Sequence, residues 1–251
     1  MSKFNNKTVV ITGGNSGMGL ATAKSFLAEG AHVIITGRSQ GNLDEATKVL
    51  GSDKLTTILS DISNLAGIEK LVEVVKKTGK KVDTLFLNAG VGKFAPIEHT
   101  SEEAFDAMFN TNVKGLYFTL QKMLPYLSEG ASVVLNSSVV ATGAMANASA
   151  YAATKAAVNS IGRIAATELA AKNIRVNIVS PGPIDTPILD KGGFTEAEKE
   201  GMKAMLISAV PLGRMGTSEE VAKAVVYLSS PEAAFITGAE LLVDGGIGLR
   251  R

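Results

Sequence analysis

Tyr151 and Lys155 stand four residues apart in the segment Tyr-Ala-Ala-Thr-Lys, and Ser138 lies 13 residues before Tyr151. On a helix, positions i and i+4 share one face, so the Lys155 ammonium can lie beside the Tyr151 hydroxyl or beside a molecule bound next to it. A phenol with a pKa of about 10 is a poor acid–base catalyst at neutral pH, but a neighbouring cation favours the phenolate and lowers that pKa. The pair therefore predicts the acid–base chemistry of a redox enzyme. A solvated helix pair is the alternative, because Lys is common.

A glycine-rich turn follows the first apolar strand of the chain and directly precedes a helical run. It reads Thr-Gly-Gly-Asn-Ser-Gly-Met-Gly, residues 12–19. Glycines permit a tight turn, while the free N–H groups and the dipole of the following helix can receive a pyrophosphate. A purely structural turn is the alternative, but the position between the first strand and the first helix favours nucleotide binding. The residues of this turn expected to bind the nucleotide are Gly13, Asn15, Ser16, Gly17, Met18 and Gly19.

The end of the second predicted strand bears on the choice of nucleotide. NAD-binding proteins place a carboxylate there for the ribose hydroxyls. In this chain the segment reads Thr-Gly-Arg-Ser, residues 36–39, and no Asp or Glu occurs from Ala31 to Leu43. The charged side chain is Arg38, which suits the 2′-phosphate of NADP; a surface arginine near a helix start is the alternative. The sequence thus predicts that NADP is preferred and that NAD is possible.

Two further segments follow predicted strands at the same edge of the sheet. Asp61 and Ile62 come after the third strand, where a carboxylate can receive the adenine amino group and an apolar neighbour can flank the ring. Asp61 as the cap of the next helix is the alternative. After the fourth strand the chain reads Asn88-Ala89-Gly90, which we expect at the nucleotide, with a plain turn as the alternative.

Apolar runs of strand length alternate with amphipathic runs of helix length. The expected strands are 8–12, 31–36, 55–59, 84–87, 132–136 and 175–179, and the expected helices are 17–29, 43–50, 68–77, 101–127 and 148–171. Nearly continuous apolar strands joined by helices predict a parallel sheet that is covered on both faces. No linker or repeat interrupts the pattern, so we expect an α/β fold with a single doubly wound domain over residues 1–251.

The segment between Pro181 and Pro211 departs from this pattern. It contains two more prolines, at positions 183 and 187, a Gly192-Gly193 pair and a helical stretch with Met202 and Met205. Residues from about 183 to 210 are predicted to form a lid over the carboxyl edge of the sheet, where ligands of such folds bind. An ordinary surface excursion is the alternative.

Composition excludes several other classes of protein. There is no Cys, and His32 and His99 lack an adjacent ligand pattern, so we expect no metal site. The 25 Lys and Arg nearly balance the 24 Asp and Glu and are scattered, which argues against nucleic acid or an anionic membrane as partner. The first residues lack the apolar core of a signal peptide, and no apolar run of about 18 residues follows. A cytoplasmic location is expected.

Taken together, these motifs resemble the short-chain dehydrogenase/reductase family over nearly the whole chain. The matching elements, in family order, are the turn at 12–19, Asp61, Asn88-Ala89-Gly90, Asn112 in Asn-Val-Lys-Gly, Ser138, Tyr151 with Lys155, and Pro181-Gly182 with Thr186. Each element alone is weakly specific, whereas all seven in order are highly specific. The resemblance implies a single Rossmann domain with a seven-stranded parallel sheet.

The resemblance also implies a role for each catalytic residue. Tyr151 is then the general acid–base, and Ser138 holds the substrate oxygen. Lys155 binds the nicotinamide ribose and lowers the Tyr151 pKa, and Asn112 positions a water that relays protons to Lys155. Ser137 is adjacent, but the 13-residue offset to Tyr151 selects Ser138. Beyond the residues already named, the expected cofactor contacts are Tyr151, Lys155, Pro181, Gly182, Ile184 and Thr186.

A substrate pocket is expected next to Ser138 and Tyr151. Its walls are predicted to be apolar and to come from Phe94, Ser138, Val139, Val140, Ala141, Met145, Pro183, Ile188 and Leu189. Core packing is a competing explanation for any one of them.

Three functions fit these residues. The first is an NADPH-dependent ketoreductase, or alcohol dehydrogenase in reverse, acting on a small or medium apolar ketone. The second is 3-oxoacyl carrier-protein reductase, whose acidic partner needs basic residues near the cleft, although the segment from Gly115 to Ser132 offers only Lys122. The third is a non-catalytic dinucleotide sensor, which the intact set of catalytic residues disfavours. NADP-preferring members often carry a second basic residue in the glycine-rich turn, where this chain has Asn15 and Ser16.

Assembly is predicted from the resemblance as well. The usual interfaces of the family involve the long helices that begin near Ser101 and Ala148, and the segment from Leu241 to Gly246. A homotetramer is the first expectation and a dimer the second.

Overall fold

The computed structural model describes residues 2–186 and 195–249. Seven strands form one parallel sheet in the order β3-β2-β1-β4-β5-β6-β7. The strands are β1 (Thr8–Ile11), β2 (His32–Gly37), β3 (Leu55–Leu59), β4 (Val82–Leu87), β5 (Leu127–Asn136), β6 (Arg175–Pro181) and β7 (Glu240–Val243). The predicted α/β fold with a seven-stranded parallel sheet is confirmed.

Helices cover both faces of this sheet. They are α1 (Gly17–Ala28), α2 (Gln40–Leu50), α3 (Leu65–Lys77), α4 (Glu102–Phe109), α5 (Leu116–Met123), α6 (Ser149–Leu169), α7 (Glu196–Ala209) and α8 (Ser218–Ser229). One core cluster holds residues of α1, α2 and α8, and the other holds residues of α3, α5 and α6.

Strand β1 shows why the strands are continuously apolar. Val9 and Ile11 belong to one core cluster, whereas Val10 between them belongs to the other. All three are fully buried, because successive side chains of a strand point to opposite faces and both faces carry helices. Each such side chain contributes roughly 1.5–3 kcal/mol on burial.

The strand order reverses between β1 and β4. The loop after β1 and the loop after β4 therefore leave the sheet in different directions, and a crevice opens between them at the carboxyl ends of the strands. Ligands of doubly wound sheets bind at this position. The glycine-rich turn and Asn88 both lie here.

The helix predicted over 101–127 is confirmed as a helical run from Glu102 to Tyr126, although that run is not α-helical throughout. Ser101 caps α4 as its position suggests, since its Oγ accepts from Ala104 N at 3.2 Å. A π-helical turn at Asn110–Gly115 then separates α4 from α5, and β5 begins at Leu127 rather than at residue 132. A Cβ on Gly115 would collide with the backbone carbonyl of Ile62, so this part of the helix passes directly against the loop after β3. The spacing of apolar residues does not reveal where an α-helix widens locally into a π-helical turn.

Part of the predicted lid lies outside the described residues, namely 187–194, which include Ile188 and Leu189. On one side of this gap Asp185 N donates to Gly216 O and Gly216 N donates to Pro183 O, both at 2.9 Å. On the other side lies α7, which carries Met202 and Met205 as expected. No helix in the described part of the chain is long and apolar enough to span a bilayer.

Candidate active site

The glycine-rich turn between β1 and α1 is shaped for close contact with a phosphate group. Gly13 and Gly17 have φ angles of +64° and +50°, which favour glycine. A Cβ on Gly19 would collide with the carbonyl of Gly13, so the helix can start only with glycine at that position. Ser16 is the N-cap of α1, and its side chain makes no capping hydrogen bond. The first N–H groups of α1 thus lack intrahelical partners and can receive an anion.

Arg38 follows β2 and stands immediately before Ser39, which caps α2. Its side chain is exposed, and within residues 2–186 and 195–249 its guanidinium has no hydrogen bond or ion pair. A cation at the start of a helix is opposed by the helix dipole, so α2 gains no stability from it. An anion bound at the turn of residues 12–19 would give Arg38 a partner.

Gly37 and Asn15 make a contact that the sequence does not reveal. Gly37 is buried, and a Cβ there would lie 3.0 Å from Asn15 Cγ and 3.0 Å from Leu43 Cδ2. The side chain of Asn15 therefore covers the position at which NAD-binding proteins carry an acid.

Asp61 and Ile62 follow β3 as predicted. Asp61 Oδ1 accepts from Ser63 N at 3.0 Å, whereas Asn64 is the residue that caps α3 by accepting from Gly67 N at 2.9 Å. The capping alternative for Asp61 is thus wrong. Ile62 is buried, with its carbonyl against Gly115, so its side chain packs in the protein interior.

Asn88 ties the turn after β4 to the turn after β1. Its Nδ2 donates to Thr12 O at 3.0 Å and to Gly13 O at 3.1 Å. The backbone N–H groups of Asn88 and Ala89 both donate to Thr12 Oγ1 at 3.0 Å. The segment is therefore more than a plain turn, because it fixes the shape of the glycine-rich turn after β1. Gly90, the third residue, leaves room for Asn112 Oδ1 and Lys155 Nζ, which lie 3.3 and 3.6 Å from the position of a Cβ.

Ser138 and Tyr151 meet where β5 ends and α6 begins. The Ser138 hydroxyl is a neighbour of the Tyr151 hydroxyl and favours its ionised form. Ser138 Oγ also accepts from Val140 N at 3.4 Å in the short 3₁₀ turn that follows. Ser137 points elsewhere, since it is buried and its Oγ donates to Lys155 O at 3.2 Å. The structure thus brings Ser138, not Ser137, to the tyrosine.

Lys155 lies one turn beyond Tyr151 on α6 and is only 4% exposed. Its Nζ donates to Asn136 O at 2.8 Å and lies 5.6 Å from the centroid of the Tyr151 ring. Burial lowers the pKa of Lys155 to about 8. The removal of water from the ammonium is the physical cause.

The pKa of Tyr151 differs from the sequence-based expectation. Burial raises it to about 12, while the hydrogen bond from Ser138 acts in the opposite direction. Lys155 was expected to lower this pKa, but its ammonium is bonded to the Asn136 carbonyl and is itself desolvated. Desolvation of the phenolate therefore outweighs the neighbouring cation in this arrangement.

Asn112 lies in the π-helical turn between α4 and α5. Its Oδ1 accepts from Val91 N at 2.8 Å, and its Nδ2 donates to Val91 O at 2.9 Å and to Thr154 Oγ1 at 3.0 Å. Both amide hydrogens are used, so the side chain joins the loop after β4 to α6. A role for Asn112 in placing a proton-relay water stays a prediction. Because both hydrogens of the side-chain amide are used, an oxygen of Asn112 would have to accept from that water.

Of the residues predicted to wall a substrate pocket, Phe94 is in contact with Tyr151. The Phe94 ring meets the Tyr151 ring edge-on, with centroids 5.4 Å apart, and Phe94 is 46% exposed. Val139, Val140, Ala141 and Pro183 are half-buried, and Met145 is exposed. Ile184 is buried, and Gly182 and Thr186 are half-buried where β6 ends. Pro181 is buried as the last residue of β6.

Two polar residues of this region were missed by sequence reasoning. Thr154, between Tyr151 and Lys155, holds Asn112. Asn136, the last residue of β5, holds the Lys155 ammonium through its carbonyl. A polar residue at the carboxyl end of a buried strand is the signal that could have identified Asn136. Among the described residues no group of three His, Asp or Glu could hold a metal ion.

Comparison with known proteins links this geometry to dinucleotide-dependent enzymes. A family model described as enoyl-(acyl carrier protein) reductase matches residues 13–248. An oxidoreductase of Sarocladium schorii is 38% identical over 249 residues, covering 98% of each chain. The NADP-dependent (R)-specific alcohol dehydrogenase of Lentilactobacillus kefiri is 34% identical and covers 97% of each chain.

A solved structure is also similar to this chain over almost its whole length. The 3-ketoacyl-(acyl-carrier-protein) reductase of Brucella melitensis, complexed with NADH, superposes with a TM-score of 0.89 at 32% identity. The match covers 97% of this chain and 99% of that one. The whole fold, including the crevice at the strand reversal, is therefore shared.

Proposed function

The chain belongs to the short-chain dehydrogenase/reductase family and is an NAD(P)-dependent oxidoreductase; we propose that it interconverts a ketone and a secondary alcohol with NADPH. The observation that carries this proposal is that the Ser138 hydroxyl neighbours the Tyr151 hydroxyl, one helical turn from the buried Lys155. Two hydroxyl groups can thereby converge on one substrate oxygen. The Lys155 ammonium supplies a positive charge on the buried side of these hydroxyls.

The residues of the crevice fit a dinucleotide. The glycines at positions 13, 17 and 19 leave backbone N–H groups open to a pyrophosphate, because a side chain at these positions would be strained or would collide. Asn88 fixes the carbonyls of that turn. When bound, the nicotinamide supplies a hydride to the carbonyl carbon or accepts one from the alcohol.

In the reducing direction, Ser138 and Tyr151 donate hydrogen bonds to the carbonyl oxygen of the ketone. The negative charge that develops on this oxygen is stabilised by both hydroxyls. The proton of the Tyr151 hydroxyl then moves to the oxygen and completes the alcohol. In the oxidising direction the same hydroxyl accepts the proton of the alcohol, so Tyr151 acts as general acid and general base.

Lys155 supplies positive charge at the buried end of the site. With a pKa of about 8, it is mostly protonated at pH 7. We propose that its ammonium holds the nicotinamide ribose and favours the tyrosinate that forms during turnover. Asn112, fixed by Val91 and Thr154, lies next to Gly90 on the same side and would support proton return to Lys155.

NADP is the proposed cofactor because Arg38 is exposed and free of partners in the described chain at the end of β2. A guanidinium is well suited to a phosphate. The Lentilactobacillus kefiri relative is NADP-dependent, which supports the proposal, whereas the Brucella melitensis structure holds NADH. Asn15 adds support, since its side chain occupies the space of an NAD-type acid at position 37.

The proposed substrate is a small or medium apolar ketone or alcohol. Phe94 supplies apolar surface beside Tyr151, and Val139, Val140 and Met145 are apolar side chains that are half-buried or exposed in the segment after Ser138. 3-Oxoacyl carrier-protein reductase is the second candidate, because the family model and the Brucella melitensis structure are both named for carrier-protein substrates. Lys93 and Lys114 are exposed on elements that border the site, and an acidic carrier protein would need such groups.

A substrate screen tests the proposal. NADPH oxidation is followed at 340 nm with aliphatic and aryl ketones, with acetoacetyl-coenzyme A and with an acetoacetyl carrier protein, each also with NADH. We expect the highest kcat/KM with NADPH and an apolar ketone. A preference for the carrier-protein substrate by tenfold or more would select the second candidate. NADPH binding without turnover of any carbonyl would identify a dinucleotide sensor and overturn both.

We also propose a homotetramer. Exposed apolar side chains lie along α4, α5 and α6, where Phe105, Tyr117 and Ile164 are 43%, 48% and 56% exposed. An apolar groove of about 560 Å³ lies between the starts of α4 and α6 and suits a second copy of this chain. A second apolar surface includes Phe235, Leu242 and Leu249. Light scattering at micromolar concentration should give four times the chain mass, and a monomer would contradict the proposal.

A further inference from the structure

Asn136, the last residue of β5, joins the phosphate-binding turn to Lys155 through hydrogen bonds. Its backbone carbonyl accepts from Lys155 Nζ at 2.8 Å, and its Nδ2 donates to Asn88 Oδ1 at 3.1 Å. Asn88 Nδ2 in turn donates to the carbonyls of Thr12 and Gly13. One residue therefore contacts the support of the glycine-rich turn with its side chain and the ammonium of Lys155 with its backbone.

The orientation of this amide is dictated by the turn. Because Asn88 Nδ2 donates to two backbone carbonyls, the oxygen of Asn88 has to face Asn136, and Asn136 has to present its NH₂ group. Asn136 is 5% exposed, and its Oδ1 has no partner in the described part of the chain. An unpaired buried acceptor is unfavourable, and an apolar side chain at this position would avoid it. Packing of the core alone therefore does not explain an asparagine here.

The position of Lys155 depends on the same segment. Besides the carbonyl of Asn136, the neighbouring Ser137 contacts Lys155, since Ser137 Oγ donates to Lys155 O at 3.2 Å. No carboxylate in the described residues pairs with the Lys155 ammonium. The carbonyl of Asn136 is therefore what holds this ammonium, and the anchor of the Asn136 side chain on Asn88 fixes where that carbonyl lies.

We propose that Asn136 is a positioning residue that couples dinucleotide binding at residues 12–19 to the placement of Lys155. The inference rests on the proposed function, because it takes Lys155 as the group that holds the nicotinamide ribose. Phosphates bound at the turn would order the carbonyls of Thr12 and Gly13. The ordered carbonyls would fix the Asn88 side chain, which fixes the amide of Asn136. The backbone carbonyl of Asn136 then fixes the position of the Lys155 ammonium.

The substitution Asn136→Leu tests the coupling, because it removes the amide and keeps the size and burial of the side chain. NADPH affinity is measured by the increase in NADPH fluorescence on binding, without substrate, and kcat is measured at saturating NADPH with the best ketone. We expect the Kd for NADPH to rise roughly five- to tenfold and kcat to fall about tenfold, since both ends of the chain of hydrogen bonds are affected.

Asn159→Leu is the matched control. Asn159 lies on α6 one turn beyond Lys155, is 2% exposed, and both of its amide atoms lack partners in the described residues. The same chemical change at an equally buried position should leave the Kd and kcat within twofold of wild type. Equal losses in both variants would mean that packing between β5 and α6 is responsible, and would overturn the proposal.

A second variant keeps the test decisive if Asn136→Leu does not fold. Asn136→Ser keeps a polar group that is too short to reach Asn88, so the same losses are expected. A Kd and kcat within twofold of wild type in either folded variant would contradict the coupling. Failure of the proposed function is distinguishable, because a wild type that reduces no ketone still gives an NADPH Kd to compare with the variants.

Discussion

The ring of Phe94 meets the ring of Tyr151 edge-on, with centroids 5.4 Å apart and planes at 63°. Gly92 borders this contact, since a Cβ there would lie 3.3 Å from Phe94 Cε2 and 3.6 Å from Tyr151 Cδ2. A half-exposed aromatic ring is thus placed beside the hydroxyl that we propose as the proton donor. The first prediction follows from this contact.

Phe94→Ala should weaken the binding of apolar ketones while leaving the chemical step nearly intact. Loss of an aromatic contact costs about 0.5–1.5 kcal/mol, so KM for an aryl ketone should rise roughly 2- to 12-fold. KM for acetone, which is too small to gain from the ring, should change little. A fall in kcat without a change in KM would instead mean that Phe94 acts by orienting Tyr151.

Tyr151→Phe should abolish turnover and retain NADPH binding, because it deletes the proton donor but keeps the ring. General acid catalysis contributes about 10² to 10⁴ in rate. Single-turnover kinetics with a simple ketone and a fluorescence titration with NADPH measure the two quantities separately. Retention of more than about a tenth of the wild-type rate, with chemistry limiting, is incompatible with the assigned role.

Arg38→Ala should lower NADPH affinity and spare NADH. The lost charge-assisted contact is worth about 1.5–3 kcal/mol, which corresponds to roughly 10- to 150-fold in Kd. Arg38→Lys is the matched control and should retain part of the affinity, because it keeps the charge and loses the planar guanidinium. Equal losses for NADPH and NADH would show that Arg38 packs against the adenine instead.

Gly37→Asp should favour NADH only weakly on its own. The new side chain would meet Asn15 and Leu43 at 3.0 Å, so Asn15 has to move before the carboxylate can face a ribose. The double variant Gly37→Asp with Asn15→Gly removes that obstacle. For each variant, the ratio of kcat/KM with NADH to kcat/KM with NADPH is converted to a free energy. We expect the change in this free energy to be larger in the double variant than the sum of the changes in the two single variants. Strict additivity would show that the contact between Asn15 and Gly37 is irrelevant to cofactor choice.

Lys155→Met should inactivate the enzyme and stabilise the fold near pH 7. Burial lowers the Lys155 pKa from 10.5 to about 8, so between these values the unfolded chain binds more protons than the folded one. The stability of wild type should therefore rise with pH across this window, as the disfavoured folded ammonium loses its proton. The advantage of Lys155→Met in Tm is expected to be greatest near pH 7 and to shrink above pH 8. An advantage that is independent of pH would refute the burial effect.

Local patterns were sufficient to predict six of the seven strands, although β5 begins five residues earlier than expected. A run such as Thr8–Ile11 can be read directly because both of its faces are buried, and glycines at positions 13, 17 and 19 impose a turn that few other sequences can form. The hydroxyl pair of Ser138 and Tyr151 could be anticipated from the family resemblance. β7 and α8 were not assigned from residue patterns, although the capping box formed by Thr217 and Glu220 marks the start of α8.

Other features depend on contacts between segments far apart in sequence. The π-helical turn that holds Asn112 ends at Gly115, which lies against the carbonyl of Ile62, and no spacing of apolar residues encodes that approach. The pKa of Tyr151 could not be predicted from its distance to Lys155 in sequence, because desolvation depends on what covers the two side chains. The hydrogen bond of Asn136 was not predicted from the sequence, because its partner, Asn88, lies 48 residues away.

A Cβ on Gly115 would collide with the carbonyl oxygen of Ile62, so the loop after β3 directly contacts the helical turn that carries Asn112. Asn112 is in turn hydrogen-bonded to Val91 and Thr154. A substitution that moves the Ile62 carbonyl toward Gly115 would therefore also disturb Asn112. The loop after β3 and the turn that carries Asn112 behave as one building block, and neither can be redesigned without the other.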